Sequence, residues 1–242
     1  MSNMAMYLSE FFGTLILILL GSGVCCNVSL KKSKGQNSGW IVIAAGWGFA
    51  VAIAAYTTGW VSGAHLNPAV SIAMAVLGNL SWKLVPGYII SQILGAIVGA
   101  MLAYAAFKDH FAETDDKDAK LGVFCTAPAI RNFRRNFITE VIGTAMLVVG
   151  ILGTGNANNA VGPLGPMLAG IVVFSIGLSL GGPTGYAINP ARDLGPRIAH
   201  AILPIPNKRD SDWEYAWVPI FGPVVGGIVG ALIYNLIFNI WI

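Results

Sequence analysis

Six apolar stretches, each long enough to cross a bilayer as a helix, run through the chain at residues 6–26, 40–58, 85–107, 136–152, 164–180 and 217–240. A transmembrane helix needs about 20 mainly apolar residues. In hydrocarbon every backbone polar group must be satisfied inside the protein, so such stretches are expected to be helices packed on one another. Charge agrees: 10% of the 242 residues are charged and 55% are hydrophobic, against about 25% charged in a soluble domain. The 30 glycines fit too, since glycine is commoner in membrane helices than in soluble ones. A net charge of +3 points to no nucleic-acid partner. No positively charged segment precedes the first stretch and Glu10 interrupts it, so it is expected to be a retained span and not a cleaved signal. Cys25, Cys26 and Cys125 have neither disulfide nor metal spacing and read as small apolar fillers; no metal or other cofactor is expected.

Two further apolar segments, residues 67–77 and 189–203, are too short to span. Each follows a glycine-rich, irregular approach, residues 59–66 and 181–188. Non-helical backbone at membrane depth is tolerated only where it is buried or lines a wet cavity, so a pore is sought here first. The two halves also repeat. Glu10-Phe11-Phe12-Gly13-Thr14 matches Glu140-Val141-Ile142-Gly143-Thr144, and Asn67-Pro68-Ala69 matches Asn189-Pro190-Ala191, 122 residues on. Three spans per half force equivalent elements to insert upside down. The expected fold is therefore an all-α membrane protein of six transmembrane helices and two re-entrant half-helices. It forms one channel domain over residues 1–242, with inverted repeats at about 1–120 and 130–242.

Asparagine is a good N-cap and proline suits the first helical position, so each Asn-Pro-Ala reads as a helix start. Two such starts on inverted half-helices can meet at the midplane. There the helix dipoles oppose cations, and each asparagine amide is left to face the lumen. Two coincidental helix caps would not recur at the repeat offset. Glu10 and Glu140 are the only acidic residues within a predicted span. Buried charge at membrane depth is expensive and functional by default. The expected role is structural, each carboxylate accepting hydrogen bonds from the loop of its own half. A proton relay needs a chain of groups that is absent between them.

Residues 63–70 and 185–192 resemble the two signature loops of the aquaporin, or major intrinsic protein, family, and the likeness runs end to end. It implies a constriction formed by Trp47, Gly177, Tyr186 and Arg192, with backbone carbonyls of Gly63, Ala64, His65, Thr184 and Gly185 lining the path. Water-selective members typically carry histidine at Gly177 and phenylalanine at Trp47. Here Gly177 leaves room, and Trp47 is expected to lie against it. Trp47 and Tyr186 offer apolar faces, while Arg192 offers fixed N–H donors. Such a corner suits a polyol, with one carbon edge and one hydroxyl edge. Asp193 and Arg197 follow the glycerol-facilitator pattern, and Asp193 is expected to pair within the loop to hold Arg192. Pro219-Ile220 agrees with that pattern. Tyr186 departs from it, standing where phenylalanine is usual. The resemblance thus implies a passive channel for glycerol and other small neutral solutes such as water, urea and dihydroxyacetone. It also implies a homotetramer in lipid at the cell membrane, with both termini cytoplasmic.

Alternatives remain open at this point: a water-selective channel, an ion-coupled secondary transporter, or a membrane enzyme. Gly177, Trp47 and Asp193 argue against the first. No spare midplane charge supports the second, and no catalytic cluster supports the third. Lysine and arginine crowd the odd-numbered connections, which by the positive-inside rule would be cytoplasmic; the family places them outside. Trp40, Trp60, Trp82 and Trp217 read as interfacial anchors, and His110 and His200 as incidental. The rows Ser91, Gly95, Gly99 and Gly222, Gly226, Gly230 read as close helix packing.

Overall fold

The protein, a computed structural model, is described over residues 1–239. Ser2 caps the first helix by accepting from the Ala5 N–H, which starts α1 (Asn3–Ser29) ahead of the apolar run itself. Asn132 does the same for α7 (Phe133–Thr154) through the Arg135 N–H. Side-chain caps of this kind replace missing intrahelical partners. They explain why both helices are longer than apolarity alone suggests. The remaining long helices are α2 (Trp40–Ser62), α4 (Val85–Ala106), α8 (Gly165–Leu180) and α10 (Trp217–Tyr234), the last continuing as a wider turn over Asn235–Asn239. Ile240, placed in the last predicted span, lies outside the described residues. All six regions are long and apolar enough to cross a membrane, and the chain is a multi-pass integral membrane protein.

The two short apolar segments are helices α3 (Pro68–Val76) and α9 (Pro190–Ile202). Two more short helices, α5 (Lys108–Glu113) and α6 (Lys117–Gly122), sit in the third connection. Asp116 starts α6 by accepting from the Asp118 and Ala119 N–H groups. Outside the spans Lys31 pairs with Asp115 and Lys32 with Glu113, tying the first connection to the third. Those lysine hydrogen bonds hold both carboxyls below their ordinary range, but such exposed pairs contribute little to stability.

The order long, long, short, long recurs: α1, α2, α3, α4 and then α7, α8, α9, α10. Within each set the first helix packs on the last, α1 on α4 and α7 on α10, and α2 meets α8 across the two sets. The short helices cross over. Helix α3 packs chiefly on α10, and α9 chiefly on α4. Each half therefore holds the short helix of the other, and neither could be removed without exposing it.

The glycine rows sit where helix backbones touch. A Cβ at Gly95 would lie 2.2 Å from the Phe11 carbonyl oxygen, and one at Gly226 would lie 2.4 Å from that of Val141. These contacts join α4 to α1 and α10 to α7 in equivalent places. By contrast a Cβ at Gly23, on α1, would meet nothing within 4 Å. Gly95→Ala and Gly226→Ala should each destabilise by about 1–3 kcal/mol, the usual result of overpacking a filled contact. Gly23→Ala should be neutral or mildly stabilising. Thermal unfolding of the three purified variants in one detergent checks this, and equal midpoints for all three would contradict the packing described.

Candidate functional site

Between the two sets of helices lies a cavity of about 450 Å³. Its walls come from α1, α2, α3, α7, α8 and α9 together with the two irregular loops. Most of the lining is apolar, including Leu17, Val51, Val70, Leu147, Ile151 and Val173. The polar residues are few: Asn67, Asn189, Arg192, His65, Thr154 and Tyr186, together with the loop backbones.

The loops are built from backbone that side chains rarely adopt. Ala64 and Leu66 have φ of +48° and +54°, and Tyr186 and Ile188 have +39° and +43°. These are matching positions in the two repeats. A β-branched residue in the left-handed region is an outlier that surrounding contacts must hold. The glutamates supply those contacts. Glu10 accepts from the Leu66 N–H at 2.7 Å and the His65 N–H at 2.9 Å, as well as from Ser62 and Gln92. Glu140 accepts from the Ile188 N–H at 2.8 Å and the Ala187 N–H at 3.0 Å. Both carboxylates are buried.

The asparagines join the repeats. Asn67 Oδ1 accepts from the Ala69 N–H and starts α3; Asn189 Oδ1 accepts from the Ala191 and Arg192 N–H groups and starts α9. Pro68 and Pro190 occupy the first helical positions, followed by buried Ala69 and Ala191. Each amide then crosses over. Asn67 Nδ2 donates to the Ile188 carbonyl and Asn189 Nδ2 to the Leu66 carbonyl, both at 2.8 Å. The sequence had both amides facing the lumen. Both asparagines do line the cavity, but one N–H of each amide is engaged by the opposite loop.

Trp47, Tyr186 and Arg192 gather at one part of the cavity wall. The Arg192 guanidinium carbon lies 4.0 Å from the Trp47 ring centre, and Arg192 Nη1 donates to the Phe124 carbonyl at 3.2 Å. The space beside Gly177 is filled first by Tyr186. A Cβ at Gly177 would come within 2.8 Å of the Tyr186 ring, so Tyr186 occupies that space. The left-handed turn at Tyr186 directs its ring there. Trp40 braces it edge-on at 5.8 Å and donates its indole N–H to the Gly177 carbonyl at 2.8 Å. Trp40 is therefore more than an interfacial anchor. Trp47 covers Gly21 on α1, where a Cβ would be 2.3 Å from its ring.

Asp193 does not touch Arg192 either. Its carboxylate accepts from Arg197 Nε at 2.8 Å and from the Thr126 N–H and hydroxyl, both at 2.8 Å. Arg197, fully buried, directs its remaining N–H groups to Asp193 and to the carbonyls of Thr126, Ser211 and Asp212. The pair fastens residues 123–126 to α9, and those residues present the Phe124 carbonyl to Arg192. Asp193 thus acts on Arg192 through a neighbouring connection. His200, read as incidental, is buried against Phe124 with Nδ1 2.8 Å from the Ser211 hydroxyl.

Of the expected carbonyl positions, Gly63, Ala64 and His65 lie on the cavity wall and Thr184 and Gly185 do not. Gly185 sits back against Thr126, and in the second repeat the wall is Tyr186, Ala187 and Ile188. Trp40, Phe124, Gly21 and Cys25 were not singled out for the site. The glycine and cysteine, four residues apart on one helix, carried the signal of a shared face. A backbone carbonyl such as that of Phe124 carries none.

Comparison with known proteins fits this geometry. The family model described as major intrinsic protein matches residues 1–234. A probable glycerol uptake facilitator protein of Thermotoga maritima is 64% identical over 219 residues, covering 90% of this chain and 93% of that protein. The glycerol uptake facilitator protein of Bacillus subtilis is 55% identical, covering 90% and 80%. The X-ray structure of the aquaglyceroporin from Plasmodium falciparum superposes with a TM-score of 0.88 at 31% identity, covering 98% of this chain and 97% of that one. The crossed asparagines, the two short helices and these matches lead to one conclusion: the chain belongs to the major intrinsic protein family.

Proposed function

We propose that the chain is a passive channel, not an enzyme, that conducts glycerol and other small neutral solutes and excludes ions and protons. The observation that carries this reading is the stacking of Arg192 on Trp47 at 4.0 Å beside a mainly apolar wall. A polyol can lay its carbons on the tryptophan and tyrosine rings while its hydroxyl oxygens accept from the guanidinium. A bare cation gains nothing from that wall, meets a fixed positive charge, and then meets the N-termini of α3 and α9. The names of the relatives, glycerol uptake facilitators, support glycerol as the solute. In this reading residues 1–242 form one channel domain of two inverted repeats. Glu10, Glu140 and Asp193 support the site from behind the lumen. The carbonyls of Gly63, Ala64 and His65 form its polar rail.

We also propose a homotetramer with one pore per subunit, set in the cell membrane with both termini cytoplasmic, as in the family. Exposed apolar residues such as Phe12, Leu20, Ile90 and Leu94 on α1 and α4 offer faces to lipid or to neighbouring copies.

Proteoliposomes should show rapid glycerol entry by stopped-flow light scattering, independent of ion gradients, while planar bilayers carry no steady current. A sustained Na⁺ or H⁺ conductance would refute the mechanism.

Asn189→Asp removes the donor to Leu66 and sets a negative charge between the two helix starts. A leak of monovalent cations is expected, or loss of the folded protein if the crossing bond dominates. A folded variant with unchanged flux and no leak would remove the asparagine from its role.

Gly177→Ala should drive the Tyr186 ring from its space, since the added carbon would meet it at 2.8 Å. Glycerol flux should fall about tenfold, matching an overpacking penalty of 1–3 kcal/mol borne by the open pore, and water flux should fall less. Equal flux ratios in variant and parent, at matched protein, would show that this wall is not the constriction.

A further inference from the structure

We propose that Cys25, on α1, is a positioning residue for the selectivity of this channel, its sulfur holding the Trp47 indole in the orientation on which Arg192 stacks. The inference rests on the reading of Trp47, Tyr186 and Arg192 as the constriction, and adds what sets the tryptophan in it.

Trp47 is long-armed and comes from α2, so its ring needs fixing from outside its own helix. Helix α1 does this at two points one turn apart. At Gly21 the absent side chain leaves a floor, where a Cβ would lie 2.3–2.5 Å from three ring atoms. At Cys25 the thiol sulfur accepts the indole N–H at 3.4 Å. Arg192 then lies over the ring. Cys25, Trp47 and Tyr186 are buried in one contiguous cluster, yet Cys25 is not among the residues that line the cavity. It is behind the wall.

The consequence concerns what the solute meets. A buried indole N–H needs an acceptor, and a thiol is a weak one that brings little polarity of its own. With its N–H turned back to Cys25, Trp47 presents ring carbon to the lumen. Without that acceptor the N–H gains by turning towards solute oxygens. The ring then leaves Arg192, and the apolar edge of the constriction becomes a second donor that retains a polyol. Water, small enough to keep its own hydrogen bonds on the other wall, depends less on where the ring lies.

The test compares Cys25→Ala with Cys25→Ser, two side chains of similar size of which only serine keeps an acceptor. Both are also made on a Trp47→Phe background. Glycerol and water fluxes are measured in the same proteoliposomes. Cys25→Ala should lower the glycerol-to-water ratio about fivefold and Cys25→Ser less than about twofold, as expected when one net hydrogen bond sets a side-chain orientation. On the Trp47→Phe background, where no indole N–H exists, Cys25→Ala should change nothing further. A second readout is independent of transport. In fluorotryptophan-labelled protein the ¹⁹F resonance lost in Trp47→Phe should shift in Cys25→Ala and stay in Cys25→Ser. A resonance unmoved by alanine overturns the proposal whatever the fluxes do. So does an equal effect of alanine and serine, or an alanine effect that persists without the indole. A resonance that moves while the flux ratio stays constant overturns Trp47 as part of the constriction, and the proposal falls with it.

Discussion

Two buried carboxylates hold this site open. The loops that reach the middle of the protein run through left-handed backbone at Ala64, Leu66, Tyr186 and Ile188. Each such residue is strained by about 1–3 kcal/mol in isolation. Their N–H groups have no helix or sheet to enter, and at membrane depth no bulk water. Glu10 takes the His65 and Leu66 N–H groups and Glu140 those of Ala187 and Ile188, and the Leu66 and Ile188 carbonyls face the opposite loop. The carbonyls then receive the asparagine amides of the opposite repeat. The order is therefore glutamate, loop, asparagine, half-helix, written twice and crossed. Loss of one carboxylate would loosen its own loop and also the helix start of the other half.

Arg192 belongs to a second framework joined to the first at α9. Its position depends on the Asn189 cap, on the Phe124 carbonyl and on the Trp47 ring. The carbonyl depends in turn on the Asp193–Arg197 pair, buried to completion. Removing one member of such a pair leaves a bare charge in the interior and typically destabilises by about 3–5 kcal/mol. The pair is set off the lumen, so its charges neither attract nor repel a solute directly. Arg192 is left as the charge at the proposed constriction.

The helical layout was legible because apolar length and repeated Asn-Pro-Ala are one-dimensional signals. Helices α3 and α9 begin at the prolines where the sequence placed them. The contacts of Glu10 and Glu140 could be anticipated because an isolated acid in a span must find donors, and the adjoining loop is the nearest supply. What could not be read was which side chain fills which gap. Gly177 announces space but not its occupant. Tyr186 takes it, because the chain turns left-handed there, and Trp47 covers Gly21. Asp193 follows Arg192 in sequence yet points the other way, because neighbours in a helix face about 100° apart. Contacts through backbone carbonyls, as at Phe124 and Leu66, leave no trace in residue identity.

These frameworks separate strength from selectivity. The groups that carry the structural load, Glu10, Glu140, Asp193 and Arg197, are buried away from the cavity wall. The groups at the proposed constriction are each propped by something that is not itself in the path. Trp47 rests on α1, Tyr186 on Gly177 and Trp40, and Arg192 on the 123–126 connection. A change of prop can then move a wall by fractions of an ångström without touching the crossed asparagines, where the barrier to ions is proposed to lie. In such an architecture solute preference can drift while ion exclusion stays put. Differences in preference among related chains are then to be sought among the props as much as among the residues that face the solute.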